Sequence, residues 1–90
     1  MAETVIVTLW TEGFCEDFEL PARVPLGELY PRLFRVLGEM DWTLFRDWTG
    51  VILQNSQGGL VDETATLEDY GVCRGYRLRL ERKEEYDDIR

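Results

Sequence analysis

One helical period, set among runs of alternating apolar residues, constrains this chain more than any other feature. From Leu26 the apolar residues recur as Leu26, Leu29, Tyr30, Leu33, Leu37 and Met40. That i, i+3, i+4, i+7 spacing lays one apolar stripe along a helix of about four turns. Pro25 suits the first turn, where its missing N–H would be unpaired anyway. Pro31 is the awkward residue, because it removes one helical bond and its ring presses on the carbonyl of Gly27. The spacing therefore predicts an irregular first turn, a regular helix from about Tyr30 to Leu37, and a stop at Gly38. In a chain of 90 residues one such helix cannot build a bundle, so its stripe must be covered by a sheet.

The strands are read from the period of two. Thr4-Val5-Ile6-Val7-Thr8-Leu9-Trp10-Thr11 is rich in β-branched and aromatic residues. Val5, Val7 and Leu9 share one face; Ile6, Thr8 and Trp10 share the other. Residues 12–17 read as a turn, after which Phe18, Glu19 and Leu20 complete an N-terminal hairpin. Residues 39–49 are an aromatic connection whose Trp42, Leu44, Phe45 and Trp48 are expected to pack on the core edge. Val51-Ile52-Leu53-Gln54 is the next strand, Asn55-Ser56-Gln57-Gly58-Gly59 a turn cluster, and Leu60-Val61 a short strand. One helical turn is expected near Leu67. Tyr76-Arg77-Leu78-Arg79-Leu80 is the last strand, with Leu78 and Leu80 inward. The order β-β-α-β-β-(turn)-β places the first and last strands as parallel neighbours, since a long crossover separates them. The fold class is α+β: a β-grasp, with a mixed four- to five-stranded sheet and one helix packed across it. Residues 1–81 form the domain, and 82–90 a charged, flexible tail.

Composition excludes much of chemistry. The chain has 18 acidic residues, 10 basic residues and no histidine. Without His, the His-dependent triads and His metal sites are gone, together with the commonest general base. A net charge of −8 argues against nucleic acid, which draws on clustered Lys and Arg, and against docking on an anionic membrane. No apolar run is long enough to span a bilayer, and Met1-Ala2-Glu3-Thr4 does not open a signal peptide. Cys15 and Cys73 are too few for a zinc site alone and are expected at opposite ends of the sheet, unbridged. Four carboxylates near Cys15 (Glu12, Glu16, Asp17, Glu19) disfavour its thiolate, and their spacing does not match a calcium loop. Gly58-Gly59 lacks the Lys and the following helix of a phosphate cradle. The expectation is a non-enzyme with no cofactor and no metal.

This element order, with Leu67-Glu68-Asp69-Tyr70-Gly71-Val72 ahead of Leu78-Arg79-Leu80, resembles ubiquitin. A closer resemblance lies in Leu20-Pro21-Ala22-Arg23-Val24-Pro25-Leu26-Gly27-Glu28-Leu29-Tyr30-Pro31-Arg32-Leu33, with Gly58-Gly59-Leu60, Thr66-Leu67, Gly71-Val72 and Gly75. These residues are similar to the ubiquitin-like proteins of type VII (WXG100) secretion: the small YukD/EsaB proteins and the cytosolic N-terminal domain of EccD. The resemblance covers residues 4–81. It implies an accessory or regulatory component acting by protein–protein docking at the cytosolic face. The implied partner is a secretion ATPase or membrane channel component.

Departures from ubiquitin narrow the role. A conjugated modifier or sulfur carrier needs a C-terminal Gly-Gly, whereas this sequence closes Tyr86-Asp87-Asp88-Ile89-Arg90, so that alternative is disfavoured. A β-grasp domain of a larger receptor or membrane protein is the other alternative. The central isoleucine of ubiquitin's apolar patch aligns with Gln54, and the neighbouring final-strand positions are Arg77 and Arg79. A receptor built for ubiquitin would meet uncompensated charge there. The candidate protein-binding residues are therefore Arg77 and Arg79 with Trp10, Ile52 and Ile6 on the outer sheet face, and Phe14 at the hairpin tip. A free sheet edge also allows a homodimer.

Overall fold

The computed structural model describes residues 3–83. Five strands and two helices follow one another as β1 (Thr4–Thr11), β2 (Phe14–Pro21), α1 (Leu26–Met40), α2 (Trp42–Phe45), β3 (Val51–Asn55), β4 (Gly58–Gly59) and β5 (Arg77–Arg82). The sheet order is β2-β1-β5-β3-β4. Parallel β1 and β5 occupy the middle, with Leu9 opposite Leu78, and every other neighbouring pair is antiparallel. This is the ubiquitin-like β-grasp. β5 runs to Arg82, one residue past the expected domain boundary; the rest of the charged tail, 84–90, lies outside the described residues.

Alternation decides which side the helix covers. Val5, Val7 and Leu9 of β1, Leu53 of β3, and Leu78 and Leu80 of β5 are buried. Against them α1 sets Leu26, Leu29, Tyr30, Leu33 and Leu37. Leu67 and Val72, from the loop before β5, and Phe45 of α2 complete the core. Among the described residues no charged side chain is buried, so the interior is held by apolar contact and backbone pairing, together with the hydroxyl of Tyr30.

Three local expectations are corrected. The helix is continuous through Pro31 from its first turn. Its leading N–H groups do not depend on the helix itself: Leu26 N–H donates to Ala65 O (2.8 Å) and Gly27 N–H to Glu63 O (3.0 Å). With those orphan donors satisfied by the loop, the one bond lost at Pro31 does not unravel the turn. A Cβ on Gly27 would stand 3.3 Å from the Glu63 carbonyl, so glycine permits that close docking. Nor does Gly38 stop the helix. It ends at Asp41, whose φ of −153° breaks the spiral and whose carboxylate accepts the Leu44 N–H (3.2 Å), capping α2. The connection 39–49 therefore contains a short helix.

The third correction is the turn after β3. The strand there is Gly58–Gly59, not Leu60-Val61. Asn55 Oδ1 accepts the Gln57 N–H (2.8 Å), an Asx turn that closes within two residues and returns the chain at Gly58. Leu60 is left to bond β3 through Leu53 O (2.8 Å). The Tyr30 hydroxyl inserts into this pairing, donating to Leu60 O and accepting the Leu53 N–H.

Candidate protein-docking surface

The sheet face turned away from α1 carries the charged and aromatic residues expected there. Its order follows from register. Trp10 lies opposite Arg79, and Thr8 opposite Arg77, across the parallel β1–β5 pair. On the other side of β1, Ile6 faces Glu19 and Thr8 faces Asp17. The face therefore runs from acidic β2, across Ile6 and Trp10, to the arginines of β5.

Its components hold one another in place. The Arg79 guanidinium sits 5.3 Å from the centroid of the Trp10 ring, a cation–π geometry that holds the arginine against the indole. Arg79 Nε also bonds Glu81 at 3.0 Å. The Thr8 hydroxyl donates to Asp17 and the Thr4 hydroxyl to Glu19, each at 2.6 Å. These bonds fix the two β2 carboxylates against β1. Ile6 is 43% exposed and Arg77 is exposed, so the middle of the face offers both apolar area and charge.

Four of the six expected residues thus converge: Ile6, Trp10, Arg77 and Arg79. Ile52 shares the outward side of β3 but is only 9% exposed. Its register partner Glu81 is drawn along the sheet by Arg79, and only 18% of the Glu81 side chain remains exposed. Ile52 therefore supplies packing rather than contact area. Phe14 lies on the opposite face. The hairpin turns within Glu12-Gly13, where Gly13 takes a φ of +86°, so Phe14 pairs with Thr11 on the side of Val5, Val7 and Leu9. There its ring meets Phe45 edge-on at 5.4 Å and Phe18 at 6.4 Å.

Sequence reasoning missed one exposed group. Trp42, expected against the core edge, is 64% exposed, beside Met40 at 49%. Asp41 ahead of Trp42-Thr43-Leu44-Phe45 was the available signal, because a cap residue before an apolar turn marks a helix start. Once α2 forms, Phe45 takes the core and Trp42 takes the surface.

Cys15 and Cys73 are both free and exposed. Among the described residues no cluster of Cys, Asp and Glu could hold a metal ion, and no helix is long and apolar enough to cross a membrane. Among the described residues one carboxylate departs from its ordinary range. Asp62 is held below it, first by the Thr64 hydroxyl and then by the Thr64 N–H, with desolvation opposing and the Ala65 N–H adding a lesser lowering. Its role is to fold the loop that caps α1.

Comparison with known proteins places the molecule. The sequence profile of "WXG100 protein secretion system (Wss), protein YukD" matches residues 4–80. A comparison with curated proteins gave no match. Among solved structures, the ubiquitin-like domain of the Mycobacterium tuberculosis type VII secretion protein EccD1 superposes with a TM-score of 0.68. It shares 24% identity, over 87% of this chain and 97% of that one. The EccD5 ubiquitin-like domain from Mycobacterium xenopi gives 0.72 at 19% identity, over 88% and 93%. A chain of the ESX-5 inner membrane complex gives 0.71 at 24% identity, over 87% of this chain but 20% of that one. At these identities the structures establish the fold, while the profile establishes membership: the chain belongs to the YukD family of the WXG100 protein secretion system.

Proposed function

We propose that the chain is a non-enzymatic accessory component of a type VII secretion system. It docks a protein partner through the outer sheet face built by Ile6, Trp10, Arg77 and Arg79. The observation that carries this reading is the Trp10–Arg79 stack with Arg77 beside it, held on two central strands. Trp and Arg are the residues most enriched where binding energy concentrates. Here they are preorganised by strands rather than loops, which lowers the ordering cost of association. The partner suited to this face presents acidic groups around an apolar contact, and the family points to a secretion ATPase or membrane channel component at the cytosolic side of the membrane.

The test is the double charge reversal Arg77→Glu/Arg79→Glu in the native host. The expected result is loss of secretion of WXG100 substrates, and loss of the membrane component from material purified with the protein, at unchanged protein level. Normal secretion and an unchanged complex would overturn the reading. A second reading, a β-grasp domain of a larger membrane protein, is supported by the match to a fifth of a chain in the ESX-5 inner membrane complex. The reading frame of the gene separates the two.

A further inference from the structure

The sheet ends on one side at β2, which pairs only with β1. At the other end β4 is two glycines long, whereas β2 runs for eight residues in unbroken register with its neighbour. A long, regular edge of this kind is a template for another strand. The backbone groups it offers follow from the parity of β1. Thr8 N–H donates to Tyr76 O, and Ile6 O accepts from Gly75 N–H, both at 2.8 Å. The even residues of β1 therefore direct their polar groups to the β5 side. Its odd residues bond β2, through the pairs Val5–Leu20, Val7–Phe18, Leu9–Glu16 and Thr11–Phe14. That uses the even residues of β2 and turns the backbone groups of Cys15, Asp17, Glu19 and Pro21 outward. Pro21 fits this parity, since a residue without an N–H loses no ladder bond there. Among the described residues nothing pairs with the outward row.

The side chains along the edge decide what can be added. Asp17 and Glu19 stand on the outer face, held by the Thr8 and Thr4 hydroxyls, and Glu16 is exposed on the helix side. Among the described residues none of the three forms an ion pair. A second copy of the chain is a poor occupant. In an antiparallel pair of β2 strands, outward residues must face outward residues. The two registers of greatest overlap then set Asp17 opposite Asp17, or Asp17 opposite Glu19 twice. The next two set Glu16 opposite Glu16, or Glu19 opposite Glu19. Like charges directly opposite are destabilising, so charge opposes self-pairing and favours a basic strand.

We propose that the β2 edge takes up an extended segment of a partner protein as a sixth strand, one in which Lys or Arg alternates with apolar residues. Backbone bonds to Cys15, Asp17 and Glu19 provide the attachment. Selection comes from the side chains: cations lie beside Asp17 and Glu19 on the outer face, and apolar groups lie beside Phe14 and Phe18, which are half-buried on the helix side. The edge is on the far side of β1 from Arg77 and Arg79. Neither arginine enters it, so the proposal stands or falls apart from the role given to those residues.

Amide hydrogen exchange of the full chain tests it, with the end-blocked peptide Lys-Val-Lys-Val-Lys-Val-Lys as the probe. With the peptide at ten times its Kd, exchange at Cys15, Asp17 and Glu19 should slow about tenfold. Glu16 and Phe18, whose N–H groups already bond β1, should change little. The acidic counterpart Glu-Val-Glu-Val-Glu-Val-Glu should give no protection, and neither should the basic peptide N-methylated at its lysines. Asp17→Asn/Glu19→Gln should weaken binding of the basic peptide about 2–30-fold. Absence of protection at Cys15, Asp17 and Glu19 would overturn the proposal, as would equal protection by the acidic or the N-methylated peptide. Protection that appears without peptide as the protein is concentrated would also overturn it, by assigning the edge to a second copy.

Discussion

Replacing Tyr30 by Phe removes one oxygen and no core volume, and the structure says where the cost falls. The ring is 8% exposed. Its hydroxyl accepts the buried Leu53 N–H at 3.3 Å and donates to the Leu60 carbonyl. Without it, one buried donor and one buried acceptor lose a partner, at about 1–3 kcal/mol for each group left unsatisfied. The sum overstates the loss, because Leu60 N–H already pairs with Leu53 O at 2.8 Å. The two segments can close toward each other and recover part of the reciprocal bond. The net expectation is about 1–3 kcal/mol. In a domain of this size that is a fall in Tm of roughly 5–20 °C. Urea unfolding should show a lower midpoint with an unchanged slope, and amide exchange should accelerate selectively at Leu53. A variant whose Tm and Leu53 exchange match the parent would refute the claim that this hydroxyl joins β3 to the Leu60 segment.

Three further outcomes are expected. Leu78→Ala, at a side chain with no exposure, should cost about 2–5 kcal/mol, whereas Arg77→Ala on the opposite side of the same strand should leave the melting curve nearly in place. Equal losses would overturn the inward and outward assignment of β5. Gly75→Ala, at a φ of +87°, should destabilise by about 1–2 kcal/mol through strain alone, since nothing lies within 4 Å of the added methyl. A variant as stable as the parent would contradict that conformation. Asp62 ionises in the folded chain below its ordinary value of 3.8. Its stabilising effect is therefore full above that value and fades as pH falls through the folded one. A carboxyl NMR titration should place its midpoint below that of an ordinary aspartate, and a midpoint at or above 3.8 would contradict the Thr64 and Ala65 bonds.

The legible parts of the fold were those fixed by local periodicity. The stripe from Leu26 to Met40 announces α1, and the alternation in β1 announces which side holds Ile6 and Trp10. Leu78 and Leu80 follow from the same counting. What local pattern did not carry was satisfied from a distance. The first turn of α1 survives Pro31 because the carbonyls of Glu63 and Ala65 supply acceptors from 36 to 39 positions away, which no window around Pro31 contains. Phe14 was expected at an exposed hairpin tip, but the turn takes two residues rather than six, which brings Phe14 into β2 opposite Thr11 and onto the core side against Phe45. A turn centred on Gly13 is a local signal that the acidic run around it obscured. Ile52 has the outward parity it was given, yet register with Glu81 and the Arg79–Glu81 ion pair removed its exposure. Trp42 reached the surface because α2 has room to bury only one large ring, and Phe45 takes that place.

Whether the outer sheet face is the docking surface is tested most directly by site-specific photo-crosslinking in the native host, with the probe placed in turn at positions 77 and 42. The account predicts that the probe at 77 captures a component of the secretion machinery, and that the probe at 42 captures none. Capture from 42 with none from 77 would move the interface to the helix side and contradict the account.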